Sequence, residues 1–241
     1  MAARGPRTST RVANLIADRV LGDALPEGTR LPTEKEMMAE YGVARTTVRE
    51  ALRLLESRGL VAIRPGSGGG PVVKRPEFSS LGNVLTLFLQ LESATLSEVI
   101  DTRLALEPVA ARLAAARITE SQLDELAASL DAIRAAPEDL AVFAHHNARF
   151  HSVIYTATGN PVLRIVLETL LMLVRDVAPE EGHPEATRHA AVEAQQEVLD
   201  ALRRRDEPAA AAAMTAFVEA TARYYRRRLG SVISEPVHWQ L

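Results

Sequence analysis

From Leu31 to Ser57 the chain reads LPTEKEMMAEYGVARTTVREALRLLES, and few folds accommodate that pattern. Thr33-x-x-Glu36 has the spacing of a capping box, in which hydroxyl and carboxylate satisfy the first free amides of a helix. Met37, Met38 and Tyr41 give that helix an apolar side, and Gly42 can close it in the left-handed conformation. A second helix is expected from about Arg45 to Ser57. Its Val48, Ala51, Leu52 and Leu55 fall at i, i+3, i+4 and i+7 and form one buried stripe. Arg45, Thr46, Thr47 and Arg49 are left at the exposed leading end. Guanidinium forks and short hydroxyls there suit phosphates and guanine edges.

Past Gly59 the pattern changes. LVAIR, PGSGGG and PVVK are two short strand-like runs around a glycine-rich turn, which predicts a hairpin carrying Arg64 and Lys74 rather than a third helix. PGSGGG lacks the Gly-Lys-Ser/Thr ending of a nucleotide-binding loop. Upstream, Thr10 to Leu21 reads as a first helix with Val12, Leu15, Ile16, Arg19 and Val20 partly facing the core. Residues 1–7 read as a frayed terminus. Helix, turn, helix and glycine-tipped hairpin together make a winged helix-turn-helix, a mount for one helix end in a DNA groove.

The segment LPTEKEMMAEYGVARTTVREALRLLESRGLVAIRPGSGG resembles the DNA-binding domain of the GntR family of bacterial transcription regulators, over residues 8 to 75. The resemblance implies that the second helix enters the major groove and the wing tip touches the minor groove. By motif position the implied DNA contacts are Lys35, Arg45, Thr46, Thr47 and Arg49, with the wing around Arg64 and Gly66. Family members often carry Ser or Thr where this chain has Ala44, a poor N-cap, so one phosphate contact is expected to be missing.

The net charge of −3 over 241 residues looks wrong for such a protein until it is divided. Residues 1–76 hold 13 Lys+Arg against 8 Asp+Glu, a net of +5; residues 77–241 hold 15 against 23, a net of −8. A basic reading head on an acidic body fits this asymmetry. With no cysteine, disulfides and thiolate metal sites are excluded. No signal peptide or membrane span is recognisable, and a cytoplasmic protein is expected.

The expected organisation is a winged domain over 1–75, a linker over 76–80, an all-α effector-binding and dimerisation domain over 81–230, and an irregular tail over 231–241. The fold is mainly α, with helices expected at about 80–91, 96–116, 119–135, 138–158, 160–176, 186–204 and 207–229 in an antiparallel bundle. Thr119-x-x-Gln122 caps one helix, and Gly159-Asn160-Pro161 ends one and starts another. His145, His146, His183 and His189 read as surface residues.

This half resembles the ligand-binding domain of the FadR-like branch of the GntR family, through DTRLALEPVAARLAA, NARFHSVIYTATGNPVL and EVLDALRRRDEPAAAAAM. That branch binds a small molecule inside the bundle, often through a metal held by one acidic residue and three histidines. Here the matching positions are Asn147, His151, Gln195 and Phe217. One imidazole, two amides and a phenyl ring hold zinc poorly. No metal or other cofactor is therefore expected, and any ion would rest on His151 and Asn147. The expected effector site comprises Arg103, Glu107, Asn147, His151, Gln195 and Phe217. Arg103 matches the branch's arginine and is placed to hold a carboxylate; a simple Arg103–Glu107 pair is the alternative.

The expected function is a ligand-responsive regulator, a repressor in the commonest family pattern, binding a palindromic double-stranded operator as a homodimer. Release would follow binding of a carboxylate- or acyl-bearing small molecule. Alternatives are a metal-assisted small-carboxylate site and an effector-free architectural DNA binder. An enzyme is not expected, since nucleophile elbow, cysteine and complete metal set are all missing.

Overall fold

The computed structural model describes residues 7–66, 69–177, 184–228 and 230–237. The chain divides into two compact units, residues 1–80 and 81–241.

In the first unit α1 (Thr8–Gly22), α2 (Glu34–Tyr41) and α3 (Arg45–Glu56) precede strands β1 (Val61–Arg64) and β2 (Gly70–Val73). The capping box forms as expected: the Thr33 amide donates to Glu36 at 2.7 Å, and the Glu36 amide donates to the Thr33 hydroxyl at 3.3 Å. Gly42 closes α2 with φ +63°. On α3 the stripe Val48, Ala51, Leu52 and Leu55 is buried against Val12, Ile16, Met37 and Val73. The α1 reading needs correction: Leu15 is exposed, and Arg19 is exposed and paired with Glu40 at 3.3 Å. The core face is Val12, Ala13, Ile16 and Val20. At 100° per residue Leu15 lies about 115° from its centre, and Ala13 takes the place it was given.

The hairpin pairs antiparallel in the register Val61 with Val73 and Arg64 with Gly70. Residues 28–31 run along the other edge of β2: the Leu31 amide donates to the Pro71 carbonyl at 2.9 Å and the Val73 amide to Thr29 at 2.9 Å. The Ile63 amide donates to the Glu56 carboxylate at 3.3 Å, tying the wing to the end of α3.

The second unit contains α4 (Phe78–Leu91, from Leu81 on), α5 (Leu96–Ala115), α6 (Glu120–Ala135), α7 (Leu140–Ala157), α8 (Pro161–Val177), α9 (Glu185–Arg203) and α10 (Glu207–Arg228). Capping boxes start α5 at Thr95/Glu98 and α6 at Thr119/Gln122. Asn160 caps α8, its side-chain oxygen accepting from the Val162 and Leu163 amides at 3.0 and 3.1 Å. The main core gathers Leu126, Leu130, Phe150, Ile154, Leu199 and Met214 from α6, α7, α9 and α10. Ala110, Ala111, Ala114 and Ala115 are fully buried, so α5 is approached closely by its neighbours. Arg149 and Glu125 form an ion pair between α7 and α6.

The tail differs from its expected irregularity. A short helix α11 (Gly230–Ser234) is followed by an isolated bridge between Pro236 and Thr95, and the Val237 amide donates to Ala94 at 2.8 Å. Ile233 and Val237 are buried beside Leu96, Val99 and Tyr225. Both side chains join the apolar cluster that holds the segment down. Among the described residues no helix is long and apolar enough to cross a membrane.

Candidate functional site

Because its apolar stripe is seated, α3 can point only its other face outward. Arg45, Thr46 and Arg49 are exposed and Thr47 is half-buried. Ala44 occupies the N-cap with extended backbone and no side-chain cap, so the opening amides of α3 lack the hydroxyl acceptor that Ser or Thr would give. Lys35 is exposed on α2, Arg64 at the end of β1, and Gly66 on the wing with φ +99°, a conformation that strains any side chain. Lys74 is held by Glu77 at 2.8 Å, whose hydrogen bond and charge raise the ammonium pKa above its ordinary value.

One residue at this end was not singled out from the sequence. Glu34, the first residue of α2, accepts from Arg45 Nε through Oε2 at 2.7 Å and lies 3.5 Å from Arg49 Nε through Oε1. It brings together two of the expected contact residues. The available signal was an acid directly after an N-cap, which helix-dipole chemistry alone explains.

The effector positions fall into two linked groups inside the helical unit. Arg103 and Glu107, four apart on α5, are both buried, and Arg103 Nε donates to Glu107 Oε1 at 2.6 Å. From α7, the Tyr155 hydroxyl donates to the same oxygen at 2.9 Å and sits 3.3 Å from His151 Nδ1. His151 Nδ1 is also 3.2 Å from Glu107 Oε2, which has no hydrogen-bond partner among the described residues. The His151 ring stacks on Phe217 of α10 with centroids 5.4 Å apart. In the second group Gln195 of α9 donates through Nε2 to Asn147 Oδ1 at 2.7 Å. Its own Oε1 is buried and finds no partner among the described residues.

Electrostatics bind the first group. Burial by itself would raise the Glu107 carboxyl, but the Arg103 guanidinium, aided by His151, holds it down to about 2. Burial would lower Arg103, and Glu107 outweighs it and raises the guanidinium instead. Tyr155 is raised by burial first and then by the Glu107 charge, so it stays a neutral hydroxyl. Tyr155 was absent from the expected site, though it stands four residues after His151 on the same helix face. Of the four histidines read as surface, His145 and His189 are exposed and His146 is half-buried with Nδ1 unpartnered among the described residues. His183 lies outside the described residues.

The donor set does not fit the metal that the family resemblance implies. Among the described residues no three His, Asp or Glu side chains gather as a metal would require. Asn147 and Gln195 are turned to each other, and Phe217 presents a ring face where a ligand would stand.

Comparison with known proteins agrees with this geometry. Residues 8–69 match the model of bacterial regulatory proteins of the gntR family, and residues 98–220 match that of the FCD domain. An uncharacterized HTH-type transcriptional regulator of Mycobacterium tuberculosis is 35% identical over 158 residues, 64% of each chain, so the match leaves about a third of that relative uncovered. The HTH-type transcriptional repressor NanR of Citrobacter rodentium is 33% identical over 190 residues, spanning 76% of this chain and 72% of that one. The solved structure of a Streptococcus agalactiae GntR protein superposes with a TM-score of 0.67 at 27% identity, covering 89% of this chain and 99% of its own. With an exposed, arginine-tipped α3, a wing and a helical FCD domain all in place, this chain belongs to the GntR family of bacterial regulatory proteins: it is a DNA-binding transcriptional regulator, not an enzyme.

Proposed function

We propose that this regulator binds a palindromic operator as a homodimer, acts as a repressor, and releases the DNA when a small molecule occupies its helical unit. One α3 end reads only a few base pairs, and two related by a twofold axis read a palindrome. The repressor assignment leans on the NanR relatives. The homodimer is supported by α4, where Leu81, Val84, Leu87, Phe88 and Leu91 are all exposed. Leu81, Val84, Phe88 and Leu91 follow the 3-4-3 spacing of a helix-pairing seam. Together the five side chains leave a contiguous apolar strip on one helix, the kind of surface that marks an interaction site.

The effector reading rests on the Arg103–Glu107–Tyr155–His151 cluster next to the Phe217 ring. It fits a molecule with a polar head, carboxylate or acyl, and an apolar part. A ligand engaging this cluster would shift a two-state equilibrium between DNA-bound and released forms, to the extent that it binds the two differently. Calorimetric titration of the full chain with short carboxylates and with an acyl-CoA tests the class.

The observation that carries the whole reading is the leading end of α3, mounted on a fully buried stripe with its guanidinium groups outside. Selection of duplexes from a random pool by the full chain, followed by affinity measurement on the enriched duplex, tests it. Replacing both arginines (Arg45→Ala with Arg49→Ala) is expected to weaken binding at least about 30-fold, from about 1 kcal/mol or more per guanidinium contact. The salt dependence should flatten by about 0.9 in log–log slope for each phosphate that is no longer neutralised. Equal binding by the double variant would overturn the assignment.

A further inference from the structure

We infer that Glu34 is a positioning residue for DNA reading: one carboxylate anchors Arg45 and Arg49 by their Nε edges and sets how well the protein tells its operator from other DNA. This rests on the reading of Arg45 and Arg49 as groove contacts.

The geometry supports a shared anchor. Each oxygen of Glu34 faces a different guanidinium, Oε2 toward Arg45 at 2.7 Å and Oε1 toward Arg49 at 3.5 Å. Both contacts use Nε, the base of the fork, so the terminal nitrogens that address guanine O6 and N7 or a phosphate point onward. Arg45 and Arg49 stand four apart on one helix, where like charges repel, and an acid between them lets both tips occupy the same face. Arg45 also begins a helix whose N-cap is Ala44 without a side-chain cap, so its positive charge sits against the positive end of the helix dipole. The Glu34 charge offsets both penalties.

Fold stability does not account for the arrangement. The Arg45 and Arg49 side chains are 69% and 59% exposed against 29% for Glu34, and ion pairs this open to water add little to stability. What they do is restrict two long, rotamer-rich side chains before DNA arrives. A second effect follows from charge. Binding to random DNA scales with the cations that meet phosphates, and Glu34 removes one of the two positive charges at the tip. The same carboxylate thus favours the correctly placed contacts and disfavours the unspecific ones.

The test uses the full chain, the duplex enriched from a random pool and a scrambled duplex of equal length, at several salt concentrations. Glu34→Ala is expected to lower the ratio of specific to non-specific affinity about tenfold, the equivalent of freeing two side chains, while affinity for the scrambled duplex rises about two- to threefold as one negative charge is removed. Glu34→Gln, which keeps the length and one acceptor, should show the same rise on scrambled DNA with a smaller fall in the ratio. A ratio within about twofold of wild type in both variants overturns the inference. So does a fall in thermal midpoint with an unchanged ratio, which would reduce Glu34 to a helix-dipole partner. If the wild type enriches no duplex, or the double arginine variant binds equally well, the failure lies with the reading head instead.

Discussion

At the scale of single residues, the buried Arg103–Glu107 pair is the sharpest commitment in the helical unit. Its i, i+4 spacing on α5 was visible in the sequence, and the pairing is seen at 2.6 Å. The sequence did not show that Tyr155 and His151 close around the same carboxylate, because that meeting depends on the packing of α7 against α5. Removing one partner of a buried pair leaves the other charge uncompensated. Glu107→Gln is therefore expected to destabilise the protein by about 3–5 kcal/mol, read as a lower denaturation midpoint. The acid response has a defined sign. The folded carboxyl is depressed to about 2, against about 4.3 when unfolded. Its contribution is complete above the unfolded value and is lost as pH falls from about 4.3 toward 2. The Gln variant should lack that component of acid destabilisation. Equal acid profiles for the two proteins would show that Glu107 is not held ionised by Arg103.

At the scale of elements, the departure at Ala44 has a measurable consequence. The α3 N-cap supplies no side-chain acceptor, and a hydroxyl at this position is worth about 1 kcal/mol. Ala44→Ser is expected to raise the stability of the winged domain by about that amount and to tighten duplex binding, as followed by thermal denaturation and equilibrium titration. No stabilisation would mean that the opening amides already have acceptors. The same scale shows why most helix boundaries were legible. Thr33/Glu36, Thr119/Gln122 and Asn160/Pro161 are local signals, complete within four residues. The tail was not legible. Residues 231–241 carry too little local pattern, and α11 with Val237 is held by distant partners, Ala94 and Thr95 among them.

At the scale of the whole molecule, the proposed homodimer puts its contact on the exposed apolar face of α4. The seam on α4 has a free energy only if it is covered, since contiguous apolar patches usually mark interaction surfaces. Charges placed on it (Val84→Glu with Phe88→Glu) are expected to convert a sedimenting dimer into a monomer. Helicity should be retained, because the substituted positions are exposed in the single chain. A variant that remains dimeric would assign the contact to another face and leave the dimer itself standing; a monomeric wild type would remove both.

By itself the sequence determined the order and ends of most helices, the hairpin and the direction α3 faces. Each follows from a period, a cap or a turn residue within a few positions of itself. It also showed that the positions matching the family's metal ligands hold Asn147, His151, Gln195 and Phe217, a single imidazole among amides and a phenyl ring. Only the tertiary structure decided which polar groups meet. Glu34 reaching Arg45 and Arg49 across a turn, Tyr155 and His151 closing on Glu107, and Ile233 with Val237 docking beside Leu96 all join residues far enough apart in the chain that no local pattern encodes their contact.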